Sequence, residues 1–197
     1  MRAAMLADES ADGLAYRGRD EVELTGLDAR DIVGLFDALS RIAMRYLLTV
    51  ATLLFVALSM GMAQAHALEL PPKMEYDASM YLRLHRTLYR LFGPPLGAGI
   101  EALAVLLSII LAVIVRNEPG RGWLAAGGAA AMVIAHVIWW IWVNPANRAL
   151  AQMPLASPPP DWTERRNQWE YTHLARFFLQ LIAFAALLLS FLQRGST

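Results

Sequence analysis

Apolar residues dominate four long stretches of this 197-residue chain, at about 46–65, 97–115, 122–143 and 171–192, broken by only two charged residues, Glu101 and Arg176. Each stretch is close to the roughly 20 residues that carry a helix across the ~30 Å hydrocarbon core of a bilayer. Four passes put the ends of the first and third stretches beside the beginnings of the second and fourth. The pattern predicts an all-α protein: an integral membrane, multi-pass, antiparallel four-helix bundle with the lipid bilayer as its first partner. His66, Glu69, Glu101, Asn144, Asn147, Trp169, His173 and Arg176 all fall at the one shared face, and the opposite face receives no comparable set.

Both connections at that face carry structure of their own. Between the first and second spans, Asp77 is placed to cap a helix over 78–92 and Gly93 to stop it. Met80, Leu84, Leu88 and Leu91 share one side of it, and Tyr81, His85 and Tyr89 an adjoining one, as expected of an extra interfacial helix. The other connection, 144–170, contains Pro145, Pro154 and Pro158 to Pro160, which predict that no helix runs through it. Asp161 or Thr163 then opens the last helix. Trp139, Trp140, Trp142, Trp162 and Trp169 cluster at the same boundary, and an aromatic belt explains most of them.

The chain divides into a leader, 1–41, and a membrane domain, 42–194. Residues 1–31 mix charges and glycine with isolated aliphatics and cannot bury a core. Over 28–45, Ile32, Leu35, Phe36, Leu39 and Ile42 recur at helical spacing, which predicts an amphipathic helix on the membrane surface, against a disordered tail. Met44-Arg45, the apolar run and Ala63-Gln64-Ala65 also read as a signal peptide that would leave His66 at a new amino terminus. The length of the run and the acidic leader favour a membrane span.

The chain is 57% hydrophobic and 17% charged with zero net charge, which fits a single membrane domain and gives no basic face for nucleic acid. It has no cysteine, so disulfides, thiolate metal sites and cysteine nucleophiles are excluded. Basic residues balance across the two faces, and only the leader, read as untranslocated, places the polar face away from the cytoplasm.

Within the spans the polar residues form ladders. His136, Trp140, Asn144 and Asn147 step by three or four, as do Trp169, His173, Arg176 and Gln180. Ser59, His66, Glu69 and Lys73 lie on one face of the first span and its extension, and Glu101 and Ser108 on one face of the second. Intramembrane charges are costly unless they turn inward and pair, so the ladders are expected to face one another, with Glu101 and Arg176 as an ion pair. Such a pair alone serves helix register as well as it serves a site. Two histidines, two asparagines, a glutamate, a lysine and a tryptophan at the same level favour a pocket.

These residues resemble those of a large family of small four-helix membrane proteins that includes the anthrone oxygenases and many bacterial members. The likeness rests on His66-Ala-Leu-Glu69-Leu-Pro-Pro-Lys73, Tyr81 with Tyr89, Glu101, Asn144-Pro-Ala-Asn147-Arg-Ala-Leu150 and Trp169-Glu-Tyr-Thr-His173-Leu-Ala-Arg176. It covers about 45–192 and leaves out the leader. The resemblance implies a bacterial inner-membrane location and a monooxygenase that needs no cofactor and acts on anthrones or other flat aromatics. A base forms a delocalised carbanion, which passes an electron to oxygen, while fixed donors hold the phenolate oxygens. His173 is then the first candidate for the base and His66 the second, with Glu101 orienting. Arg176, Asn144 and Asn147 would hold oxyanions, and Trp169 would stack on the ring, with Glu69, Tyr81 and His85 completing the binding set. The same residues suit a quinone. Two other readings stay open: a metal site on His66 and Glu69 with His173 or His85, and a membrane scaffold or accessory protein whose polar cluster only fixes packing.

Overall fold

A computed structural model describes residues 28–90, 92–93 and 96–193, with the backbone alone at Arg90. Most of the predicted leader, and Leu91 of the predicted leucine face, lie outside the described residues. The chain divides into two units, Met1–Tyr46 and Leu47–Thr197. In the first, the predicted amphipathic segment is helical from Ala29. The Asp31 carboxylate accepts from the Asp28 N–H at 3.2 Å, the reciprocal half of a capping box. Ile32, Leu35, Phe36, Leu39 and Ile42 are exposed.

Among the described residues the regular structure is all helical, and four helical segments are long and apolar enough to cross a membrane: Ala29–Glu75, Leu96–Val115, Arg121–Gln152 and Trp162–Leu192. The first of these is helix α1. It joins the predicted surface helix and the first span in one element, and it continues past residue 65 to Glu75 through Pro71 and Pro72. The two prolines lie on the exposed side, which leaves Lys73 on the buried one. Helix α2 is Ala78–Thr87, capped as expected by the Asp77 carboxylate on the Met80 N–H at 2.8 Å, and it tightens into a 3₁₀ turn over Leu88–Arg90. Helix α3 is Leu96–Val115, α4 is Arg121–Ile138, α5 is Asn144–Gln152 and α6 is Trp162–Leu192.

Buried positions recur every three or four residues. In α3 they are Gly97, Glu101, Ala104, Ser108, Leu111 and Val115; in α6, Trp169, His173, Arg176, Gln180, Ala183, Leu187 and Ser190, with Glu170 buried outside the repeat. A 3.5-residue repeat is the seam of closely packed, slightly supercoiled helices. Gly128 lets α4 approach α6, because a Cβ there would lie 2.7 Å from Leu187 Cγ and 3.1 Å from the Ala183 carbonyl oxygen. Gly120, at φ +76°, turns the chain into α4, a conformation that side-chain-bearing residues rarely adopt. Val56, Leu111, Val115, Met132 and Leu187 belong to one apolar cluster. A second cluster gathers Tyr81, Leu82, Tyr89, Trp139, Val143, Leu150 and Trp169, so α2 and α5 pack with the start of α6.

Pro145 does not end the third apolar helix, contrary to the sequence expectation. A π-helical segment, Trp139–Val143, joins α4 directly to α5, and Pro145 falls in the first turn of α5. Proline has no N–H and its ring collides with the carbonyl four residues back in a regular α-helix. The wider turn, in which the Asn144 N–H reaches the Trp139 carbonyl, removes that conflict. The helix ends after Gln152, and Pro154 and Pro158 to Pro160 lie in the non-helical stretch before α6.

Candidate functional site

The predicted ion pair is the centre of a buried polar layer. Arg176 Nη2 donates to Glu101 Oε2 at 2.5 Å, Nη1 to His173 Nδ1 at 3.2 Å, and Nε to the Ala135 carbonyl at 3.1 Å. The second carboxylate oxygen, Oε1, faces His136 Nδ1 at 3.6 Å. Trp140 Nε1 donates to His136 Nε2 at 3.0 Å, and deeper in the bundle Gln180 donates to Ser59 Oγ at 3.1 Å. Helices α1, α3, α4 and α6 therefore all send polar groups inward, as charge in an apolar surround requires.

Three of the four histidines have their protonation pattern set by neighbours, two by groups that can only donate and one by an oxygen that can only accept. An arginine has no acceptor, so His173 Nδ1 must accept from Arg176 and the neutral ring carries its proton on Nε2. Trp140 imposes the opposite form on His136, whose free proton is then on Nδ1, toward Glu101. Trp169 Nε1 donates to Asn147 Oδ1 at 2.5 Å, which fixes the orientation of the Asn147 amide. His85 Nε2 meets the same oxygen at 3.1 Å and so bears a proton, leaving Nδ1 as a buried lone pair in the neutral ring. His66 Nδ1 is buried with no hydrogen-bond partner among the described residues.

These rings surround one cavity of about 220 Å³, lined by His66, His85, Tyr89, Phe92, Gly93, Trp139, Asn144, Asn147, Ala151, Trp169 and His173. The His66 and His173 rings are 4.3 Å apart, and Trp169 stands 4.8 Å from His66 and 4.4 Å from His173. Trp139 and Asn144, five residues apart, both reach it. An α-helix turns five residues through a full turn and more, whereas the π segment brings that spacing to one side. The predicted ladder His136, Trp140, Asn144, Asn147 is consequently split. His136 serves Glu101, Trp140 is exposed, and Asn144 and Asn147 serve the cavity.

Behind the Trp169 and Tyr89 rings lies a second buried ion pair that the sequence reading missed. Lys73 Nζ is 2.9 Å from Glu170 Oε2 and 3.5 Å from Glu69 Oε2, and it sits 4.9 Å from the Trp169 ring and 5.1 Å from that of Tyr89. The Lys73 side chain is 1% exposed and that of Glu170 is fully buried. Glu170 lies one residue beyond the recognised Trp169 ladder, where spacing alone marks it as outward-facing. Tyr81 donates to Glu170 at 3.0 Å and Tyr89 donates to Glu69, so each tyrosine of the connecting helix is tied to a carboxylate. Burial, with those carboxylates, pushes both phenol pKa values up. Burial pulls the His85 pKa below the ordinary histidine value, with Asn147 opposing. The Met80 N–H pulls down that of the Asp77 cap.

Of the predicted site residues, His66, His85, Asn144, Asn147, Trp169 and His173 line the cavity. Glu101 and Arg176 instead line a smaller neighbouring space with His66 and His173. Glu69 and Tyr81 lie outside both linings and hold the connecting helix. Trp139, Phe92 and Ala151 were not foreseen; only the five-residue step to Asn144 hints at Trp139. No group of three histidine, aspartate or glutamate side chains is placed to hold one metal ion among the described residues. Compared with protein-family models, curated proteins and solved structures, the chain matches none.

Proposed function

We propose that this is a multi-pass membrane protein that binds a flat, oxygen-bearing aromatic molecule in the histidine-lined cavity and oxidises it with dioxygen, with no metal or flavin. Its four spans run antiparallel. In support, residues of α4 and its continuation meet α6 in descending order: Arg121 with Ser190, Gly128 with Leu187, Ala135 with Arg176, and Trp142 with Gln168. Helix α2 lies at the membrane interface over the cavity, with Met80 and Leu88 outward and Tyr81, His85 and Tyr89 inward.

The observation that carries the reading is the set of fixed imidazole forms around one aromatic cavity. His173, its Nδ1 held by Arg176, is a hydrogen-bond donor through Nε2 rather than the base. The base role passes to His66, whose ring lies against both His173 and Trp169. In the proposed reaction His66 takes a proton from an activated CH₂ group. The resulting carbanion gives one electron to O₂, and the radical pair joins at carbon. His66 returns its proton to the peroxide anion so formed, and the hydroperoxide loses water, so that CH₂ and O₂ become C=O and H₂O. His173 and the amides of Asn144 and Asn147 hold the ring oxygens as charge develops there.

Cavity volume favours a small ring system. About 150 Å³ encloses one benzene, so some 220 Å³ encloses two fused rings and lets a third project from the mouth. A quinone head group fits by the same measure and is the second reading. The protein in lipid nanodiscs, given an anthrone in the presence of a chelator, is expected to consume one O₂ per substrate, and His66→Ala to abolish turnover without loss of fold. Binding of a quinone or anthrone, read as quenching of tryptophan fluorescence, with no oxygen uptake would leave a binding protein. The absence of both binding and uptake would end the proposal.

A further inference from the structure

Beside the main cavity is a second space of about 30 Å³, lined among others by Ser59, Ala63, His66, Ala98, Glu101 and Arg176. Its size is that of one water molecule, and small polar cavities are wet where apolar ones of similar size stay dry. Two of the residues around it carry buried polar atoms with no hydrogen-bond partner among the described residues, His66 Nδ1 and Glu101 Oε1. Glu101 has one oxygen committed to Arg176, and at 3.6 Å His136 leaves lone pairs free on the other. Ser59 Oγ, which accepts from Gln180, offers a further partner. Three polar partners are what a buried water usually makes.

We infer that this space is a binding site for one structural water that links His66 Nδ1 to the Glu101 carboxylate. Glu101 is thereby a positioning residue for His66, although the two side chains need not touch. When the His66 ring takes up a second proton, both of its nitrogens become donors. The water–carboxylate chain then accepts at Nδ1, which leaves the other nitrogen for the proton arriving from substrate. The link gives a use to the lone pairs that Glu101 keeps open on its second oxygen beside His136. The catalytic use of the water rests on the proposed function; the water site itself does not.

The chain has only four histidines, so ¹⁵N-histidine labelling in nanodiscs resolves each imidazole. In the wild-type protein, the His66 Nδ1 proton is expected to be hydrogen-bonded and to show a cross-peak to a long-lived water. Ala63→Val or Ala98→Val, which fill the space without altering charge, should remove that cross-peak and shift His66 Nδ1 while the His136 signal stays. Glu101→Gln should move the His66 signal, and Glu101→Asp should restore part of it. No water cross-peak in the wild-type protein, or a His66 signal indifferent to whichever filling variants fold, would overturn the inference. The expected spectra from a protein without oxygen uptake would uphold the water site and sink only the oxygenase reading.

Discussion

Breaking the Glu101–Arg176 pair tests the buried polar layer most directly. Glu101→Gln leaves the Arg176 guanidinium, whose residue is 4% exposed, without its counter-charge. Stranding one member of such a pair costs about 3–5 kcal/mol. Arg176→Met strands the carboxylate instead and also frees His173 Nδ1 and one of the bonds to the Ala135 carbonyl. It should cost at least as much, since each buried acceptor left unpaired adds about 1–3 kcal/mol. The double variant strands no charge, and only the neutral bonds are lost. It should therefore sit close to the milder single variant, with a coupling of about 3–5 kcal/mol, out of a total stability of about 5–15 kcal/mol. Denaturation in mixed detergent micelles, followed by tryptophan fluorescence and far-ultraviolet circular dichroism, gives all the corners of the cycle. Additivity of the two single effects within about 0.5 kcal/mol would refute the pairing.

Lys73→Met should cost a similar ~3–5 kcal/mol by stranding Glu170, and should shift tryptophan emission because Nζ lies 4.9 Å from the Trp169 ring; recovery in Lys73→Met with Glu170→Gln checks the cause. Burial lowers the His85 pKa in the folded state, so the unfolded chain binds the proton first and stability falls as pH drops below about 6.5. His85→Gln should flatten that fall between pH 7 and 5, and an unchanged unfolding profile would count against it. Gly128→Val should destabilise by about 1–3 kcal/mol through overpacking against Leu187, whereas Gly127→Ala, with nothing within 4 Å, should be neutral or slightly stabilising in the same unfolding assay. Deleting Ile141 restores α-helical register and swings Asn144 and Asn147 by about 100°; ligand binding measured by fluorescence quenching should disappear, and its survival would show that the π segment does not set the site.

The four spans were legible in the chain because length and apolar content alone decide whether a helix can cross a bilayer, and no long-range contact enters that requirement. The Glu101–Arg176 pair was legible for a related reason: lone charges in otherwise apolar runs must find each other. The Asp77 cap and the inward Tyr81, His85, Tyr89 face follow from local chemistry and helical spacing. The π segment at Trp139–Val143 was not legible, since the same proline that breaks one helix is absorbed by another when packing rewards the wider turn. That extra residue per turn splits the expected ladder and delivers Trp139 to the cavity. Glu170 escaped notice because its burial comes from Lys73 and Tyr81, nearly a hundred residues earlier in the chain. Its neighbours in sequence carry no sign of either. The fixed form of His85 likewise belongs to the tertiary structure, set by the Asn147 oxygen brought in from a distant helix, whereas His136 and His173 are fixed by Trp140 and Arg176 one turn further along their own helices.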